Sequence, residues 1–267
     1  MRIEVLISAM NQTNFDLVEK NNIRSDALII NQCDRYDYAE KSFDKYLVKM
    51  ISTNNRGLSR SRNEALLNAT GDVCLLCDDD VTYKDNYVQI IKEAFKKLPD
   101  ADIIVFNTEK MNCSDLKKRK HIEKIRIAPK HKNYGSVRVA FKLRSFKKNN
   151  IWFNVNFGAG SIYSSGEESL MFREANKKGL KIYEYPAFIA NVDYSNSTWF
   201  EGHNAKFFFN IGAWLSVAYP KSKHLFKYYY PISFNNHCSL TKKEIIHYIN
   251  QGINSYNNLC GFAETHT

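Results

Sequence analysis

Three adjacent carboxylates, Asp78-Asp79-Asp80, follow directly on the apolar run Val73 to Cys77. Like charges this close repel one another, so the triplet either lies solvated in a turn or holds a cation. Residues two apart in an extended backbone share a side, which lets Asp78 and Asp80 grip a hard divalent ion between carboxylate oxygens. The cysteines offer no such grip. Cys74 and Cys77 have CxxC spacing, but in a strand positions three apart point to opposite faces and cannot share a metal. Cys33, Cys113, Cys238 and Cys260 are isolated, a pattern of reduced thiols rather than of a disulfide framework.

The elements that must position the triplet can be read from the spacing of apolar residues. Ile3 to Ser8, Ala27 to Asn31, Leu47 to Ser52, Val73 to Cys77 and Asp102 to Phe106 read as strands. Between them lie a short helix near Phe15 to Glu19, a helix from Ser59 to Ala69 stopped by Gly71, and a third carrying Val88, Ile91, Phe95 and Leu98 on one face before Pro99. This alternation predicts an α/β layer fold with a mainly parallel sheet flanked by helices. Such sheets bind ligands at the carboxyl ends of their strands, where the triplet stands. After Asn107 the alternation lapses, then resumes with a helix from Glu167 to Lys178 and a strand from Lys181 to Tyr185. The aromatic-rich remainder ends on a helix opened by the capping box Thr241-Lys-Lys-Glu244. We expect one domain over 1–215 and a helical extension over 216–267.

Two kinds of enzyme fit a DxD at a strand end. In one, a metal shared with the diphosphate of a nucleotide-sugar offsets the charge that builds on the leaving phosphate. In the other, Asp78-x-Asp80-Val81-Thr82 is the nucleophile loop of a haloacid-dehalogenase-type phosphatase, with Asp78 attacking phosphorus and Asp80 as acid. That loop normally follows the first strand of its domain, whereas here two or three strands precede it.

The residues upstream favour the first kind. Asn55-Arg-Gly-Leu-Ser-Arg-Ser-Arg-Asn63, then Gly71-Asp72, then the apolar strand and triplet, resemble the central block of family-2 glycosyltransferases of the GT-A fold. The resemblance continues through Phe157-Gly-Ala-Gly160, Gly166-Glu-Glu168, Arg173, Gly179 and the stretch Ser197 to Phe200, and so spans about residues 1–215. It implies a metal-dependent, inverting transferase using Mn²⁺ or Mg²⁺, a donor such as a UDP-sugar, and a glycan or lipid-linked acceptor in cell-surface polysaccharide synthesis. Asp80 and Asp78 then match the metal site, with Asp80 the direct ligand. Glu168 matches the catalytic base, usually an Asp in the family, with Glu167 as the alternative. Acidic residues also favour the positive end of a helix, so helix-start charge is the competing reading for both. A late histidine, here His203, would complete the metal shell. Family members hold the donor's base and ribose at the end of the second strand, where this chain has Asn31, Gln32 and Asp34. With Arg62, Asp78 and Asp79 these make the donor-binding set. Arg60 and Arg62 start a helix, a place that suits an anion, although a structural ion pair would equally explain Arg62. Trp199 reads as a sugar-stacking or a packing residue.

Composition bounds the rest. With 267 residues and 44% hydrophobic content, the chain is neither disordered nor fibrous. The opening residues lack the basic head and apolar core of an export signal. No run approaches the roughly 20 apolar residues of a membrane span, so a cytoplasmic protein, soluble or peripheral at the membrane's inner face, is expected. Of the net charge of +10, all lies in 110–148, where 14 Lys and Arg stand against two acidic residues. That segment is either a solvated insertion or a surface for an anionic partner such as a membrane. A non-catalytic anion-binding protein built on it is the rival reading. No nucleic-acid motif accompanies it, and none is expected as a partner.

Overall fold

Apolar residues on consecutive positions make strands that are buried on both faces, and such runs form the centre of this fold. The computed structural model describes residues 1–111, 121–193, 202–234 and 238–264, with side chains as far as Leu259. Two compact units are present, Met1–Val155 with Glu167–Ser197, and Asn156–Gly166 with Thr198–Thr267. The division thus falls earlier in the chain than 215, and an internal segment joins the second unit.

The first unit runs β1 (Ile3–Met10), α1 (Leu17–Lys20), β2 (Asp26–Gln32), β3 (Asp37–Phe43), β4 (Tyr46–Thr53), α2 (Leu58–Asn68), β5 (Val73–Cys77), β6 (Val81–Tyr83), α3 (Tyr87–Lys97) and β7 (Ile103–Met111). It continues through β8 (Arg126–Ile127), a 3₁₀ turn at Ser136–Arg138, β9 (Val139–Lys142), α4 (Leu143–Lys148), α5 (Glu167–Lys177) and β10 (Ile182–Asp193). One ten-stranded sheet has the order β3-β4-β2-β1-β5-β9-β7-β10-β6, with β8 also on β10. Strands β4, β2, β1 and β5 are parallel, as are β7 and β10. The expected mainly parallel α/β sheet is therefore present. The sheet's two faces bury separate clusters. Val73, Leu75 and Cys77 enter one, and Cys74 and Leu76 the other, so the two thiols do point apart. Burial pushes both thiols up, away from thiolate chemistry.

Two strands differ from the sequence reading. Strand β3 is polar and mostly exposed, an edge strand paired antiparallel with β4, and it lacks the apolar pattern that marks the others. Strand β9 lies inside the basic segment and fills the middle of the sheet, antiparallel between β5 and β7. From residue 121 onward that segment is built into the first unit. Arg138 donates to the Phe106 carbonyl at 2.7 Å. Arg126, Lys132 and Tyr134 converge on the buried Glu184. Burial alone would raise the Glu184 carboxyl, but those donors bring it down to about 2.

In the second unit, α6 (Ala205–Ala218) packs on α9 (Lys242–Glu264) around Phe208, Leu215, Ile245, Ile249 and Ile253, with α7 (Lys223–Phe226) and α8 (Tyr229–Ser233) between them in sequence. The capping box is formed: Thr241 N–H donates to Glu244 at 2.7 Å and Glu244 N–H to Thr241 Oγ1 at 3.3 Å. The helices cross at paired glycines. A Cβ at Gly252 would stand 1.9 Å from the Phe209 carbonyl oxygen, and one at Gly212 2.0 Å from that of Ile249. Gly252→Ala is therefore expected to destabilise this unit. The roughly 1 kcal/mol gained in helix propensity is outweighed by an overpacking loss of about 1–3 kcal/mol, because backbone must yield. A lower thermal midpoint checks this; an unchanged or higher one would mean that the helices do not cross so closely.

Candidate active site

Strand β5 ends at Cys77 and delivers Asp78 to the carboxyl edge of the parallel strands. Asn21, fully buried, holds that end by donating to the Asp78 carbonyl at 2.9 Å. The carbonyl of Asp80 accepts from Asp193 N–H at 3.0 Å, tying the triplet to the end of β10. Because β9 runs antiparallel to β5, its leading end lies at this same edge, and the Ser136–Arg138 turn comes with it. Helix α2 lays Ser59, Ser61, Arg62, Ala65 and Leu66 inward, and so brings Arg62 to Asp78 and Ser136.

Arg62 organises what meets there. Its side chain is 2% exposed, and its guanidinium lies 3.2 Å from Asp78, 3.3 Å from Glu167 and 3.6 Å from Glu168. It also donates to Ser136 Oγ at 2.7 Å and lies over the Phe153 ring. Burial works against the charge of Arg62, but the carboxylates of Asp78, Glu168 and Glu167 hold its proton more firmly than water would. Asn63 fixes Phe153 in turn, with bonds of 2.8 Å to and from that residue's backbone. Arg62 is thus engaged by the chain's own carboxylates, the ion-pair arrangement, and not open to a ligand.

The two glutamates at the start of α5 differ in setting. Gly166 before them has φ +111°, a left-handed value that favours glycine and turns the chain into the helix. The Glu167 side chain is 10% exposed; burial first, and then repulsion from Glu168, raise its carboxyl against the pull of Arg62. The Glu168 side chain is 29% exposed, and its Oε1 accepts from Ser136 N–H at 2.9 Å. Among the described residues its polar contacts run through Oε1 and leave Oε2 without one.

Asp78 is half-buried, whereas Asp79 and Asp80 are exposed, and no ion pair to either forms among the described residues. Partial desolvation, then repulsion from Asp78 and Asp79, pushes Asp80 up to about 6. Among the described residues no three His, Cys, Asp or Glu side chains are grouped so as to hold a metal ion. The set instead fits an open, all-oxygen site for a hard cation, whose charge would relieve the crowding that raises Asp80. Asp80 is the more accessible of the two carboxylates, while Asp78 is paired with Arg62.

The end of β2 is less open than its residue types imply. The Asn31 amide accepts from Gln12 N–H at 2.7 Å and donates to the Gln12 carbonyl and Ser52 Oγ. Gln32 Oε1 accepts from Gly57 N–H at 2.8 Å. Both amides hold loops against the sheet. Asp34, its side chain 94% exposed, lies 2.6 Å from Arg56. His203 belongs to the second unit and meets the rings of Phe207 and Phe234 edge-on. Ser197 to Phe200, Trp199 among them, lie outside the described residues. Sequence reasoning missed Ser136, Phe153 and Asn21. The alternation of Val137, Val139 and Phe141 within the basic segment was the one signal that could have revealed β9 and hence Ser136.

The mainly parallel sheet flanked by helices is the architecture that the GT-A resemblance implies. The sequence profile described as "Glycosyl transferase family 2" matches residues 4–168, and the chain belongs to that family. The phosphatase reading of Asp78 and Asp80 and the non-catalytic reading give way to it. Among solved structures the fold is similar to that of Staphylococcus aureus TarS. TarS 1–349 in complex with UDP-GlcNAc superposes with a TM-score of 0.59 at 12% identity, over 89% of this chain and 74% of that one. TarS 1–349 in complex with UDP gives 0.58 at 13% identity, over 88% and 72%. S. aureus TarS without a stated ligand gives 0.57 at 13%, over 91% of this chain and 44% of that one. A search by sequence finds no curated protein that matches.

Proposed function

We propose that the chain transfers a hexosyl or N-acetylhexosaminyl group from a UDP-sugar to a hydroxyl of a glycan acceptor, with inversion. The observation that carries this is Arg62, which holds the first carboxylate of the strand-end triplet and both glutamates of α5 in one site. Glu168 takes the proton from the acceptor hydroxyl as its oxygen bonds to the anomeric carbon and the bond to the nucleoside diphosphate breaks. Ser136 N–H and Arg62 fix one oxygen of that carboxylate and so aim the other. Asp80 and Asp78 would hold Mn²⁺ or Mg²⁺, which when bound offsets charge on the leaving diphosphate. Asp34, with Arg56 beside it, is the contact for ribose or base, and Asp79 stands next to the phosphates. UDP as the nucleotide is supported by the ligands of the TarS structures, which share the fold. We further propose a lipid-linked acceptor at the cytoplasmic membrane face, in cell-surface polysaccharide synthesis, with the positive charge of 110–148 adding to the attraction toward anionic lipid.

UDP release from a panel of UDP-sugars, with Mn²⁺ or with EDTA, tests the proposal. Metal-dependent release from one preferred donor is expected. Hydrolysis of simple phosphate monoesters, with no release from any nucleotide-sugar, would contradict it.

A further inference from the structure

Apolar side chains that a helix leaves in water need a reason, and the second unit holds a concentration of them. Within one short stretch, Leu225 is 73% exposed, Tyr228 53%, Tyr229 63% and Ile232 73%. They lie on α7, on α8 and at Tyr228 between them, while α6 and α9 of the same unit bury their apolar faces against each other. Single exposed apolar residues are ordinary, but a cluster marks an interaction surface.

The charge around the cluster narrows the partner. Between Glu201 and Glu244 the chain has no Asp or Glu and six lysines. Two of these lysines are held by amides rather than carboxylates. Lys223 donates to Asn257 at 2.8 Å, and Lys227 donates to Asn250 at 3.0 Å while lying 5.1 Å from the centre of the Tyr228 ring. An amide fixes an ammonium group in place without cancelling its charge, so the face keeps its positive potential. Lysines beside exposed aliphatic side chains and tyrosines make the composition of an interfacial surface: apolar tips enter the headgroup boundary, tyrosines sit at its level, and lysines meet anionic lipid. Aliphatic residues such as Leu225 and Ile232 have no partner on a phosphate backbone, which sets nucleic acid aside. No helix among the described residues is long and apolar enough to cross a membrane, so the contact is with the surface.

We infer that α7 and α8, with Lys221, Lys223 and Lys227, form a docking face for an anionic lipid bilayer. The inference is consistent with a lipid-linked acceptor but is read without donor or acceptor, so either can fail alone. The experiment is co-sedimentation of the full chain with vesicles of phosphatidylcholine alone and of phosphatidylcholine mixed with phosphatidylglycerol. Wild type should bind the anionic vesicles and not the neutral ones. A Lys221→Gln/Lys223→Gln/Lys227→Gln variant should lose about fivefold per lysine, on the order of a hundredfold in all. Leu225→Ser/Ile232→Ser should weaken binding at least about tenfold. Leu225 and Ile232 are exposed, so the thermal midpoint of that variant should not move. A variant neutralising Lys117, Lys118, Arg119 and Lys120 separates this face from the basic segment and should keep most of the binding. The inference is overturned if wild type ignores anionic vesicles or if both face variants bind as wild type does. It is equally overturned if neutralising 117–120 alone abolishes binding. Light scattering adds one more arm: a wild-type dimer that Leu225→Ser/Ile232→Ser dissolves would make this face a contact between copies instead.

Discussion

Replacing Glu168 with Gln is expected to lower sugar transfer by about 10²–10⁴-fold while leaving donor affinity unchanged. Gln keeps the shape of the side chain, and its amide oxygen can still accept from Ser136 N–H, which now lies 2.9 Å from Oε1. What it loses is the capacity to take a proton. The loss should therefore fall on kcat, with KM for the donor unmoved. The same substitution at Glu167 should cost much less, because its side chain is 10% exposed against 29% for Glu168 and it faces Arg62. If Glu167→Gln were the inactive variant and Glu168→Gln the active one, the base would be misassigned; equal activity of both would remove the glutamates from the reaction.

Arg62→Met is expected to destabilise the first unit by about 3–5 kcal/mol, the usual result of removing one partner from a buried ionic cluster. Three carboxylates, those of Asp78, Glu167 and Glu168, would be left around an apolar side chain. Glu167 gives the effect a pH signature. Burial and Glu168 already raise its carboxyl against the pull of Arg62, so removing the guanidinium raises it further. The penalty is then fully present above that raised value and fades as the pH falls and Glu167 protonates. Urea unfolding of both proteins at pH 7.5 and pH 5 should show a gap that narrows in acid. A gap independent of pH would mean that Arg62 contributes packing rather than charge. Arg62→Lys should recover part of the stability, since an ammonium supplies the charge without the planar fork that reaches several carboxylates at once.

The parts of this site legible in the sequence were those with a local pattern. An apolar run closing on three aspartates identifies strand β5 and its end, and acidic residues opening a helical period identify α5. What links them carries no such pattern. Ser136 lies in a segment whose net charge suggests solvent, because lysines facing outward hide the short apolar alternation of β9. Asn21 touches the triplet only through the fold, and nothing near it in sequence points there. Asn31 and Gln32 show the converse: an amide at a strand end announces hydrogen bonding but not its partner, and here the partners are Gln12, Ser52 and Gly57. Arg62 could be read either way from its position on a helix, and only the geometry shows its charge directed to Asp78 and the glutamates. Strand β3 escaped notice because an exposed edge strand needs no apolar face.

Calorimetric titration with UDP, with and without Mn²⁺, on wild type and on Asp80→Ala tests the central claim most directly. At pH 7.5, above the value of about 6 to which Asp80 is raised, its carboxyl is ionised and available to a cation. Wild type should then bind UDP far more tightly with Mn²⁺ than without, Asp80→Ala should lose that gain, and the wild-type gain should shrink at pH 5.5. UDP binding that ignores both the metal and Asp80, or no UDP binding under any metal, would contradict a donor site at the end of β5.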